Sequence, residues 1–129
     1  MTDVEQIRLD PDPYEPFRLS QGFRVGDLVI VSGQAAIDEN GEIVGLSDFD
    51  AQAEQVFRNL ARVLEAAGSG LDRVVKVTIY LTDMANFPKI VELRGKWFTA
   101  PYPADTIVEV SSLALPGLEI EIEAIAVTR

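Results

Sequence analysis

Chemistry in this chain can rest on its carboxylates, among them Asp105 and Glu121. Asp105 opens one predicted strand, and Glu121 lies early in the next. Two carboxylates brought into one pocket repel each other, so at least one holds its proton above the usual carboxylate range. Such a pair can relay a proton between a substrate and water. The alternative is that each is solvated or bonded to a neighbouring arginine.

Two absences narrow the chemistry further. The 129 residues include no cysteine, which excludes disulfides, thiolate nucleophiles and thiolate metal sites. They include no histidine either, which removes the usual general base, the Ser-His-Asp triad and the commonest zinc ligand. What is left is carboxylates, hydroxyls, lysine, arginine, backbone amides and water. No metal site is expected, and no cofactor is required.

Composition sets the outer bounds. Apolar residues make up 47% and charged residues 25%, the balance of an ordinary globular domain. One domain of this length can bury a core without staples. The net charge is −10, which opposes nucleic-acid binding, because displacing counterions from phosphates needs concentrated positive charge. No apolar run nears the roughly 20 residues of a membrane helix. Met1 to Pro16 is acidic and proline-rich, without a basic stretch leading into an apolar one, so cytoplasmic residence is the expectation.

These side chains need elements to hold them. Residues 1–16 read as an irregular arm, because Asp10-Pro11-Asp12-Pro13 and Glu15-Pro16 disfavour helix and interior strand; the domain proper is 17–129. Arg18–Arg24 and Leu28–Ser32 read as strands joined at Gly26-Asp27, and Asn40-Gly41 as a turn before a short strand at Ile43-Val44. A helix follows from Asp50, with Ala53, Val56, Phe57, Leu60, Val63, Leu64 and Ala67 on one stripe. Asp48 or Asp50 can cap it, and Gly68 can end it. Val74–Leu81 reads as a strand with Val75, Val77, Ile79 and Leu81 on one side. A second helix, from about Asn86 to Thr99, takes Pro88 in its first turn and turns Ile90, Leu93, Trp97 and Phe98 inward. Tyr80, Trp97 and Phe98 fit a core better than a stacking platform, and Gly68-Ser69-Gly70 is a helix-ending turn, not a phosphate loop. Two strands close the chain: Thr106–Val110, with Thr106, Val108 and Val110 on its core side, and Glu119–Val127.

Helices too few to alternate with every strand argue for an α+β fold, a single mixed sheet with both helices on one face. On the last strand one side is aliphatic throughout, and the other runs from Glu119, Glu121 and Glu123 to Ile125 and Val127. A strand partly dry on both faces suggests burial between layers or between subunits.

Three segments carry a resemblance. Gly26-Asp27-Leu28-Val29-Ile30-Val31-Ser32-Gly33-Gln34, Pro103-Ala104-Asp105-Thr106-Ile107-Val108-Glu109-Val110 and Glu119-Ile120-Glu121-Ile122-Glu123-Ala124-Ile125-Ala126 resemble, in order and spacing, the Rid family, also called YjgF/YER057c/UK114. The resemblance implies a chorismate-mutase-like fold in a closed homotrimer with pockets at the subunit interfaces. Rid deaminases hydrolyse enamines and imines. In them an arginine at the position of Asp105 holds the substrate carboxylate, a glutamate matching Glu121 helps place the attacking water, and backbone groups matching Ile107 hold the substrate's other end. An endoribonuclease label borne by some relatives is at odds with the charge of this chain.

The other positions to which the resemblance assigns substrate contact are Leu19, Ser32, Val91 and Thr106. Several depart from the family: Leu19 replaces an aromatic residue, Val91 an asparagine, Ile107 a frequent cysteine, and Asp105 the arginine. An anionic anchor repels a 2-imino acid unless Arg18, Arg24 or Arg94 moves in. The expected function is therefore a small cofactor-free hydrolase or deaminase acting on an imine, enamine or related C–N metabolite other than the usual 2-imino acid. The alternative is a non-catalytic trimer that binds a small nitrogen metabolite or a protein partner.

Overall fold

A computed structural model describes residues 3–129. One six-stranded sheet runs β1-β2-β3-β6-β4-β5 across its width. The strands are β1 (Val4–Ile7), β2 (Gly22–Val25), β3 (Leu28–Ala35), β4 (Val74–Leu81), β5 (Ala104–Glu109) and β6 (Ile120–Val127). Every neighbouring pair is antiparallel except β4 and β5, which run parallel across the connection that carries the second helix. Helices α1 (Phe49–Ala66) and α2 (Phe87–Trp97) pack on one face. This is the single mixed sheet with two helices that the sequence implies. Among the described residues no helix is long and apolar enough to cross a membrane.

The helix stripe and the strand alternation meet in one core. Val56, Phe57, Leu60, Val63 and Leu64 of α1 are buried against Val29 and Val31 of β3, Val77, Ile79 and Leu81 of β4, and Ile120 and Ile122 of β6. Trp97 stacks on Phe57 with ring centres 5.4 Å apart, and Phe98 meets the same ring edge-on at 5.7 Å. Both aromatics therefore serve the core. Asp48 caps α1 by accepting from the Ala51 N–H at 3.1 Å. Gly68, at φ +77°, takes the left-handed conformation just past its end.

Four local expectations need correction. Residues 4–7 form an edge strand paired with β2, inside the segment read as irregular. The prolines at 11, 13 and 16 constrain only their own neighbourhood, and Val4–Ile7 lies upstream of them. Ile43 makes only an isolated bridge to Ile37. The β4–β6 register shifts between Val74 and Lys76, so Val74 turns inward while Val75 is exposed. The inner residues of β5 are Asp105 and Ile107, not Thr106 and Val108, because Asp105 is registered with buried Val77 and Ile107 with buried Ile79.

The other face of the sheet is uncovered. Phe23, Leu28, Ile30 and Val108 stand there between 37% and 45% exposed, with half-buried Ile125 and Val127 among them. Glu121, Glu123 and Tyr80 share that face.

Candidate functional site

Glu121 sits where three local devices converge. The first is a register shift between Val31 and Gln34 in the pairing of β3 with β6, which kinks Ser32 and Gly33 out of the regular ladder. The second is Gly33 itself: a Cβ there would collide with the Glu121 carboxylate, lying 2.8 Å from its Cδ. Glycine at 33 is what lets the carboxylate lie over the strand. The third is Gln52, fully buried on α1, whose Nε2 donates to the Gly117 carbonyl at 2.8 Å while its Oε1 accepts from the Glu119 N–H at 2.8 Å. That clamp fixes the loop leading into β6.

Around Glu121 lies a cavity of about 360 Å³. Tyr14, Phe17 and Leu19 wall it from the N-terminal segment, Ser32, Gly33, Ala35 and Ile37 from β3 and the residues after it, and Ala114, Leu115 and Leu118 from the loop before β6. The lining is mostly apolar, and Glu121 is its one charged residue. Burial, and then the charge of Glu123, push the Glu121 carboxyl above the ordinary glutamate range. A larger hollow of about 530 Å³ lies between α1 and α2, but its lining is mostly charged and it is crossed by the Lys89–Asp50 and Lys96–Glu54 ion pairs.

Tyr14 was not legible as a site residue in the sequence, yet it is built into the cavity wall. It is buried, donates its hydroxyl to the Gly33 carbonyl at 2.5 Å and accepts from the Ala35 N–H at 3.3 Å. Burial, reinforced by the charges of Glu121 and Asp12 and opposed by the Ala35 N–H, pushes the Tyr14 hydroxyl up to about 12. Asp12 holds the segment in place: its Oδ1 accepts from the Tyr14 N–H and from Gln21 Nε2, and Gln34 Nε2 donates to Gln21 Oε1. Ser32 is occupied locally, donating its hydroxyl to the Ser20 carbonyl at 2.5 Å. The one available sequence signal was a tyrosine among the prolines of an acidic segment, a poor place for a core residue.

Of the residues singled out in the sequence, Leu19, Ser32 and Glu121 come together at this cavity, and Val91, Asp105, Thr106 and Ile107 do not. The expected Asp105–Glu121 pair is not formed within one protomer, for a reason of strand parity. Asp105 is registered with Val77, and Glu121 with Tyr80, three residues further along β4, so the two carboxylates point to opposite faces of the sheet. Asp105 instead accepts from Arg94 Nε of α2 at 2.9 Å, in a pair whose side chains are only 16% and 26% exposed. Ile107 packs against the core. Thr106 is on the open face, where its hydroxyl accepts from Lys76 Nζ at 2.6 Å. Val91 is exposed on α2. Among the described residues no group of acidic side chains is arranged to hold a metal ion.

Comparison with known proteins bears on the family and the fold. Residues 10–128 match the family model described as endoribonuclease L-PSP. A RutC family protein of Pyrococcus abyssi is 44% identical over 117 residues, covering 90% of this chain and 89% of that one. A protein of Dermatophagoides farinae named 2-iminobutanoate/2-iminopropanoate deaminase is 34% identical over 119 residues, 92% and 91% of the two chains. The crystal structure of RidA from an Antarctic Psychrobacter superposes with a TM-score of 0.87 at 38% identity, covering 95% of this chain and 98% of that one. With the family model spanning nearly the whole chain and relatives of this identity covering nine-tenths of it, the protein belongs to the endoribonuclease L-PSP family, that of the Rid (YjgF/YER057c/UK114) proteins.

Proposed function

We propose that this protein hydrolyses an imine or enamine at the Glu121 cavity, without a cofactor. The observation that carries the reading is a half-buried carboxylate with raised proton affinity facing an apolar hollow over a glycine. Glu121 accepts a proton from water as the water oxygen bonds to the imine carbon, giving a carbinolamine. It hands that proton to the nitrogen, which completes the carbinolamine; it then takes the carbinolamine hydroxyl proton and passes it to the nitrogen as the C–N bond breaks, so that a carbonyl compound and ammonia leave. One imine and one water are consumed for each carbonyl compound and ammonia formed, so the reaction balances without an oxidant or a metal. Positioning and the low-dielectric surroundings supply the rate. The name borne by the Dermatophagoides relative agrees with this reaction class.

The substrate differs from a 2-imino acid in its polar end. No cation lines the cavity, and the motif position expected to hold a carboxylate is an aspartate already paired with Arg94. A neutral or cationic nitrogen compound with an apolar substituent fits this balance. The protein acts as a homotrimer assembled through the open sheet face, an apolar surface that a monomer would leave in water. Of the remaining expected site residues, Thr106 shares that open face and is the one a neighbouring copy would bring to the cavity, whereas Asp105 and Ile107 turn to the helix side and Val91 lies on α2. A net charge of −10 makes RNA a poor partner.

The test is ammonia release from imines generated in situ, comparing a 2-imino acid with imines of the same chain length that carry no carboxylate. Faster turnover of the uncharged imines is expected. Turnover confined to the 2-imino acid would overturn the substrate assignment, and no turnover of any imine would overturn the activity.

A further inference from the structure

Glu121 has a neighbour that the hydrolysis does not use. Glu123 stands two residues along β6 on the same open face, about 7 Å away at the rise of a strand. Tyr80 of β4 is registered beside Glu121, and its hydroxyl reaches diagonally to donate to Glu123 Oε1. The tyrosine thus fixes the Glu123 carboxylate where its charge acts on Glu121, in place of letting it swing into solvent. Tyr14, from the N-terminal segment, is the other titratable group facing Glu121. The cavity-lining residues of β3 and of the loop before β6 bring no charge. Glu123 is therefore the one anion set against Glu121 by its own sheet.

We propose that Glu123, held in place by Tyr80, is a positioning residue whose charge, added to the effect of burial, shifts the pH range in which Glu121 can activate water. The inference rests on the assignment of Glu121 as the proton-handling group. Like charge raises the affinity of Glu121 for its proton, which agrees in direction with its displaced carboxyl. A stronger base is a better acceptor from water, provided it is still ionised at the working pH. The Tyr80 hydroxyl is shifted upward too, first by the hydrogen bond to Glu123 and then by burial, so it remains a donor across the neutral range.

The experiment is the pH dependence of ammonia release in the parent, Glu123→Gln and Tyr80→Phe, with folding checked by thermal melts. Activity falls on the acid side as Glu121 takes its proton. Removing the Glu123 charge should move that acid limb down by about one pH unit while the plateau rate changes only severalfold. Tyr80→Phe should move it in the same direction by less. A folded Glu123→Gln with the limb unmoved overturns the proposal, and so does loss of activity at every pH, which would make Glu123 catalytic. If the parent releases no ammonia, NMR titration of carbon-13-labelled glutamate side chains reads the same quantity directly. A Glu121 midpoint that is equal in the parent and in Glu123→Gln overturns the inference whatever the activity shows.

Discussion

Arg94 Nε donates to Asp105 Oδ2 at 2.9 Å, and among the ion pairs of the described residues this is the one with both partners mostly buried. Asp105 Oδ1 is also buried and lacks a partner. Restoring an arginine at 105 would therefore set two guanidinium groups against each other. Asp105→Arg should destabilise the fold by about 2 kcal/mol, below the range for fully buried pairs because both side chains retain some solvent. The double variant Arg94→Asp, Asp105→Arg should recover most of that loss. Urea unfolding of the two variants checks it, and equal stability of both would mean that the pair contributes nothing.

The exposed apolar face of the sheet predicts self-association. Light scattering across micromolar concentrations should give three times the monomer mass. Introducing a charge at its centre, Ile30→Glu, should shift the protein toward monomer, because Ile30 is 45% exposed on that face and packs against nothing in the protomer core. A parent that stays monomeric would remove the shared-pocket model.

Gly33 predicts a coupled pair. Gly33→Ala should cost about 1 kcal/mol, because the new methyl meets only the Glu121 side chain, which must swing out of its place. In a Glu121→Ala background the same substitution should cost much less, and the difference in a double-mutant cycle measures the contact. Additive effects would place the Glu121 carboxylate elsewhere.

Much of this arrangement was legible in the sequence, because periodicity and turn chemistry act locally. The α1 stripe, the Val74–Leu81 strand and the glycine after α1 follow from spacing alone. Glu121, Ser32 and Leu19, singled out by motif, line one cavity. The side to which Asp105 turns was not legible. It depends on the register of β5 against β4, which is set by the parallel crossover and by Arg94, eleven residues away on a helix. Tyr14 escaped for a related reason: its burial depends on Asp12, Gln21 and Gln34 closing a hydrogen-bonded chain across the sheet end. Propensity registers the prolines and not the partners.

Tyr14 should make the protein sensitive to alkali. Its hydroxyl is pushed up to about 12 from the ordinary tyrosine value of 10.0, so the folded state keeps a proton that the unfolded state releases. Stability on this account is complete below pH 10 and is lost as pH rises toward 12, by at most about 3 kcal/mol. Tyr14→Phe should be less stable than the parent at pH 8, lacking the bonds to Gly33 and Ala35, but its stability should fall less between pH 10 and 12. Chemical denaturation at the three pH values distinguishes the two effects. Parallel declines would mean that Tyr14 ionises as freely as an exposed tyrosine.

Glu121 gives the opposite trade between function and stability. Its carboxyl is raised by burial and then by Glu123, so the folded state binds that proton more tightly than the unfolded chain does. The associated stability is fully present below the ordinary glutamate range and is lost as pH climbs through the raised folded value. At neutral pH the ionised group is therefore a cost that the fold carries. Glu121→Gln keeps the shape and removes the charge, so it should unfold at higher urea concentration than the parent at pH 7. It should show no such advantage at pH 4, where the parent carboxyl is already protonated. The same variant should lose ammonia release at every pH, since an amide cannot take the proton from water. A Gln variant less stable than the parent at pH 7 would mean that the carboxylate is held by a favourable partner, and the cavity would then be a binding site for a cation and not a place where water is activated.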